Sequence, residues 1–361
     1  MRQSPDRNQS PDRYRSPDVT RRRLLLGGAA LGTGALLSAC TSNEQPNTAQ
    51  TVGAGGANPN SSPGKRVVIG FSAPAADHGW IAAITNNAQA QAAQYSDVEF
   101  RPVAAGSNAA EQRAALSTLI SQKPDVIVLL PYDGKELNSF GLEAMAAGIP
   151  VVNLDRAFPD PLAYRLQIKG DNYGMGVAAG HYIAAQMKAK GITNPIIGEI
   201  AGIDQLELTQ ERSQGFRDAL ATHGFRVANR RAAEFTVDSG QREATLLLQA
   251  LPRMDALWNH DDDQGVGVLA AIQQANRSEF IMVGGAGSRQ AIEAIAADNT
   301  VLKATVTYSP SMASSAISLA RLIAQGRKMA DLAELQVPKE IILASETITK
   351  ENASAYLPLG F

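Results

Sequence analysis

From Lys65 onward the chain alternates two hydrophobic patterns. Short runs rich in Val, Ile, Leu and Phe predict strands over 66–71, 98–102, 125–130, 150–154, 196–201, 225–228, 256–259, 280–284 and 302–307. Longer, Ala-rich stretches between them predict helices over 80–94, 109–122, 137–147, 175–190, 209–223, 241–251, 264–275, 289–297 and 311–325. In the second of these, Leu116, Leu119 and Ile120 fall on one face. Residues 125–130 are almost continuously apolar, as in a parallel strand covered on both faces. The tail over 340–348 is strand-like.

Regular strand–helix alternation implies parallel, doubly wound sheets. The strand count is too high for one ordinary open sheet, which leaves a closed eightfold barrel or two lobes. Polar clusters recur at strand ends in both halves, which favours two Rossmann-like lobes. The fold class is therefore α/β, with two lobes joined by a three-crossing hinge near Gly170, Tyr308 and Val337. The predicted first lobe takes 65–170 and 309–337, and the second takes 171–308 and 338–361.

Ligands of such sheets sit beyond the carboxyl ends of the strands. Those positions hold Ser72 to Trp80, Pro131-Tyr132-Asp133, Asp155-Arg156, His260 to Asp263, Gly284 to Ser288, and Tyr308. Consecutive acids such as Asp261-Asp262-Asp263 can hold a hard cation, but they also begin helices. Asp262 and Asp263 are read as cap and first-turn residues and no metal site is expected. Gly284-Gly285-Ala286-Gly287 lacks the Lys-Ser/Thr of a phosphate loop and is read as turn glycines with positive φ, so no cofactor is expected.

The N-terminal region has a different character. Arg21-Arg22-Arg23 precede a short apolar run, which ends at Leu37-Ser38-Ala39 before Cys40, the one cysteine of 361 residues. The run is too short for a comfortable membrane span, which needs about 20 residues. It reads as an export signal over 1–39, and its arginines resemble a twin-arginine signal, although the general export route also accepts them. Cys40 is the expected lipidation site, and 40–64, rich in Gly, Ser, Asn and Pro, is a flexible tether. The expected address is outside the cytoplasmic membrane, anchored by lipid.

The formal net charge is −2, and loss of the leader, with seven Arg and three Asp, makes the remainder more acidic. Nucleic acid is thereby disfavoured as a partner. With a single cysteine no intrachain disulfide can form, so stability rests on core burial.

The order of strand-end residues resembles the ribose- and galactose-binding group of periplasmic binding proteins, the type I fold. The likeness spans nearly all of 66–348 and is strongest at Val151 to Arg156, Gly170-Asp171-Asn172 and Glu211 to Leu220. It implies a binding module that closes on a monosaccharide, polyol or cyclitol and delivers it to the permease of an ABC transporter, acting as a monomer. It also implies roles for particular residues. Trp80 and Phe235 would face the ring from the two lobes, with His78 beside Trp80. Asp155, Arg156, Arg212, Asp261 and Tyr308 would hold hydroxyls. Leu130 and Ala286 depart from the ribose pattern, which has asparagine and aspartate there, and this argues against ribose itself. A variant function hands the closed form to a sensor kinase. An exported sugar hydrolase would need paired carboxylates, for which Asp155 and Asp261 are the one plausible pair. No G-x-S-x-G motif is present, and the chain is not expected to be an enzyme.

Overall fold

The computed structural model describes residues 60, 62–327, 329 and 337–361. The expected signal, Cys40 and most of the expected tether lie outside the described residues.

The first lobe begins β1 (Val67–Ala73), α1 (Gly79–Ala93), β2 (Val98–Ala104), α2 (Ala109–Ser121), β3 (Val126–Leu129), α3 (Gly134–Ala146), β4 (Val151–Leu154) and β5 (Leu166–Gly170). The second follows with α4 (Asn172–Ala189), β6 (Ile197–Ala201), α5 (Glu207–Ala221), β7 (Val227–Ala232), α6 (Val237–Ala250), β8 (Ala256–Asn259), α7 (Asp262–Gln274), β9 (Ile281–Ala286), α8 (Arg289–Ala297) and β10 (Leu302–Thr307). The chain then returns through α9 (Met312–Gln325) and ends in β11 (Glu340–Leu343), β12 (Thr347–Thr349), α10 (Ala353–Tyr356) and a 3-10 turn over Leu357–Leu359.

The two sheets share one plan. Their strand orders are β11-β5-β4-β3-β1-β2 and β12-β10-β9-β8-β6-β7. Every pairing is parallel except that of β12 with β10. The central strands β3, β4 and β8 are buried at every position, which explains why β3 is wholly apolar and why β4 and β8 are apolar but for Asn153 and Asn259.

The structure departs from the sequence reading in three places. Strand β5, within the unassigned stretch before α4, pairs with β4 and carries the chain to the first crossing. The strand-like tail is two strands in two sheets, because β11 pairs with β5 and β12 with β10. The third crossing is therefore at 344–346, and not near Val337; residues 338–343 belong with the first lobe. The pattern could not show this, since a strand that changes sheets keeps the same composition. The third departure lies at the N-terminal edge. Arg321 donates to the carbonyls of Asn60 (2.5 Å) and Ser62 (2.9 Å) while its guanidinium pairs with Asp97 at 2.6 Å. Contacts to the first lobe thus include residues 60 and 62, ahead of Lys65.

Candidate ligand cleft

All eight side chains expected from sequence line one cleft of about 330 Å³ between the lobes, together with Leu208 and Ala286. The doubly wound plan puts them there. His78 and Trp80 follow β1, Asp155 and Arg156 follow β4, Phe235 follows β7, Asp261 follows β8 and Tyr308 follows β10. Arg212 comes instead from α5, which lies close against α4. A Cβ at Gly176 of α4 would sit 2.0 Å from the Arg212 carbonyl oxygen, so only glycine permits that approach.

The aromatic and cationic groups interlock. Trp80 Nε1 donates to the Tyr308 carbonyl at 2.8 Å, and the two rings are 5.6 Å apart. The Tyr308 hydroxyl donates to Asp155 Oδ1. Burial, then the Asp155 charge, raises the Tyr308 pKa well above its ordinary value and keeps the hydroxyl protonated. The Arg212 guanidinium lies 4.5 Å from the Tyr308 ring centroid and 6.0 Å from that of Phe235. Its Nε donates to Asn172 Oδ1 at 2.9 Å and its Nη1 to the His260 carbonyl at 3.3 Å.

Arg156 Nη1 donates to the Tyr132 carbonyl at 2.5 Å, and the guanidinium lies 5.9 Å from the Tyr132 ring centroid. Its buried Nε has no hydrogen-bond partner among the described residues. The His78 ring is 6.0 Å from that of Phe235 and bonds Asp77 through Nδ1 at 2.5 Å. Burial works against charge on His78, but the Asp77 bond and the nearby Asp261 carboxylate outweigh it and raise the His78 pKa. Asp261 caps α7, its Oδ1 accepting the Asp263 and Gln264 amides at 2.9 and 3.1 Å. Burial pushes its pKa up to about 6.

The cleft also concentrates backbone strain. Asp155 (φ 63°), Phe235 (φ 55°) and Ala286 (φ 94°) all have positive φ. Asp tolerates this region; for the other two the cost is about 1–3 kcal/mol each. The expected turn glycines behave differently from the sequence reading. Positive φ falls on Ala286 and Gly287, while Gly284 and Gly285 lie in β9 and make room for Asp262 and the His260 carbonyl. The cap of α7 is Asp261 and not Asp262. Asp262 is buried and accepts the amides of Gly285, Gly287 and Ser288 at 2.8–2.9 Å.

Of the two departures from the ribose pattern, Ala286 lines the cleft, whereas Leu130 is fully buried in the core. Three supporting groups were not assigned from sequence: Asn172 behind Arg212, the Tyr132 carbonyl behind Arg156, and Leu208 on the wall. Asn172 stands in a motif that carries the family likeness, but nothing in the sequence pairs it with Arg212, forty residues away.

The arrangement defines a class: a two-lobed α/β body with polar and aromatic side chains converging at the carboxyl ends of both sheets. The family model described as "periplasmic binding protein domain" matches residues 69–328, and the chain belongs to that family. It is similar to the D-ribose/D-allose-binding protein of Pseudomonas aeruginosa, 27% identical over 56% of this chain and 64% of that protein. It is also similar to the ribose import binding protein of Bacillus subtilis, 28% identical over 58% of this chain and 66% of that one. The chain thus spans just under two thirds of the length of these two curated relatives. Among solved structures, an ABC transporter solute-binding protein from Mycobacterium smegmatis with bound glycerol superposes with a TM-score of 0.72 at 25% identity, covering 81% of this chain and 96% of that one.

Proposed function

We propose that this protein captures a monosaccharide, polyol or cyclitol between its lobes outside the cytoplasmic membrane and delivers it to an ABC-type permease. One observation carries the reading. Trp80, His78, Asp155, Arg156, Arg212, Phe235, Asp261 and Tyr308 converge on one cleft, and the buried Arg156 Nε there lacks a partner among the described residues. Hydroxyl-rich rings need such a mixture: aromatic faces for C–H surface and charged groups for charge-assisted hydrogen bonds. Two carboxylates face two guanidinium groups, which suits a neutral ligand better than an acid or a phosphate ester. Relatives named for ribose and allose, and a structural neighbour holding glycerol, support the same ligand class.

The protein acts as a binder that returns its ligand unchanged, and as a monomer. Cys40 is its lipid attachment site. Replacing Cys40 by Ser should move the protein from the detergent phase of a membrane extract to the aqueous phase. Unchanged partitioning would remove the anchor from the proposal. The ligand is tested by a thermal-shift screen of pentoses, hexoses, polyols and cyclitols. A ligand at 100 times its Kd stabilises by about 2.7 kcal/mol, a visible shift. Hits should be recovered chemically intact; silence across the panel, or a converted sugar, would refute the reading.

A further inference from the structure

The N-cap and first turn of α7 send three carboxylates in three directions. Asp261 caps its own helix at the cleft and Asp262 turns inward to the β9–α8 loop. Asp263, half-buried, reaches out of its lobe. Its Oδ2 accepts the backbone N–H of Trp80, in the first turn of α1 on the other lobe, at 3.0 Å. That amide needs an outside partner. The N-cap residue of α1, His78, makes no side-chain capping bond, and α1 has no acidic residue in its first turn. A carboxylate at the N-terminus of a helix also meets the positive end of the helix dipole. The position beside it is glycine, and a Cβ on Gly79 would lie 2.8 Å from Asp263 Oδ1 and 3.1 Å from Oδ2. Asp263 does not line the cleft.

We propose that Asp263 is a clasp: a positioning residue that holds the two lobes together by capping helix α1 from the opposite lobe, and so sets how slowly any bound ligand escapes. The proposal rests on the reading of the cleft as a ligand site closed by hinge motion. Because Asp263 touches the other lobe and not the ligand, it acts alike on every ligand. Opening breaks the bond, so its loss appears in the dissociation rate and not in the encounter.

Two measurements test it on the full chain. The first needs no ligand: hydrogen exchange at the Trp80 amide. Asp263→Ala should speed that exchange at least tenfold and Asp263→Asn, which keeps an acceptor, by less. Gly79→Ala should act like Asp263→Ala, and the double variant should add little to either. The second takes whichever of D-ribose, D-allose, L-arabinose and myo-inositol binds wild type. Asp263→Ala should raise dissociation rates about tenfold for all of them, with association within twofold and their ranking unchanged; a charge-assisted bond is worth a factor of this order. Unchanged Trp80 exchange would overturn the clasp. So would an altered ranking, or a matching drop in melting temperature with exchange raised equally throughout α7, since these mark a direct contact or a merely structural role. Should no sugar bind while Trp80 exchange still responds, the clasp stands and the sugar reading falls.

Discussion

Replacing Arg156 probes the cleft most directly. Among the described residues its guanidinium is held by one bond, to the Tyr132 carbonyl, and its Nε is buried without a partner. An unsatisfied buried donor on a charged group is costly in the empty protein, and a ligand oxygen that meets it recovers that cost. Hydrogen bonds to charged groups contribute about 1.5–3 kcal/mol, which corresponds to a factor of about 10–150 in Kd. Arg156→Met keeps much of the aliphatic stem and removes every donor. Affinity should therefore fall by at least tenfold, read by isothermal titration with the best ligand from the screen. The ligand-free protein should lose little stability, or gain some, because an unpaired buried donor has gone; urea unfolding measures this. Arg156→Lys restores charge without the planar fork and should recover only part of the loss. Affinity within twofold of wild type in Arg156→Met would refute the reasoning, as would an equal loss of ligand-free stability.

Trp80 borders the cleft while Trp258 is fully buried in the second lobe, so a ligand-induced fluorescence change should survive Trp258→Phe and vanish in Trp80→Phe; the opposite outcome would move the reporter out of the cleft. Arg321→Met should destabilise by about 3–5 kcal/mol in urea unfolding, since it removes the cation paired with the buried Asp97 carboxylate, leaving it the Gly64 amide and the Gln325 side chain, and frees the carbonyls of 60 and 62; a loss under about 1 kcal/mol would show that the pair is dispensable. Burial, partly opposed by Glu199, lowers the His260 pKa from 6.5 to about 4, so the fold favours the neutral ring. Its contribution is complete above pH 6.5 and drains away as pH falls toward 4, amounting to about 2 kcal/mol between pH 7 and pH 5. Asp261, pushed up to about 6, has the opposite sign, because its ionisation costs stability as pH rises from about 4 to 6. His260→Gln should thus lose less stability than wild type between pH 7 and pH 5; parallel profiles in urea unfolding would refute this.

The alternation of patterns was enough to determine parallel, doubly wound sheets, and the polar clusters at strand ends in both halves then favoured two lobes over a closed barrel, because a strand covered on both faces is mostly apolar and its polar residues gather where it stops. Asp155, Arg156, Asp261 and Tyr308 were legible for that reason: each sits within two residues of a strand's last position. Tertiary structure alone decided the rest. Whether the tail stays in one sheet or crosses is set by which edge strand offers free backbone groups, and β5 and β10 each offered one. Asp262 and Asp263 have identical side chains on adjacent residues of one helix. The turn of about 100° between neighbours sends one carboxylate to its own lobe's loop and the other to the opposite lobe's helix. Composition cannot distinguish them, since the difference lies in the neighbours that folding brings against each carboxylate.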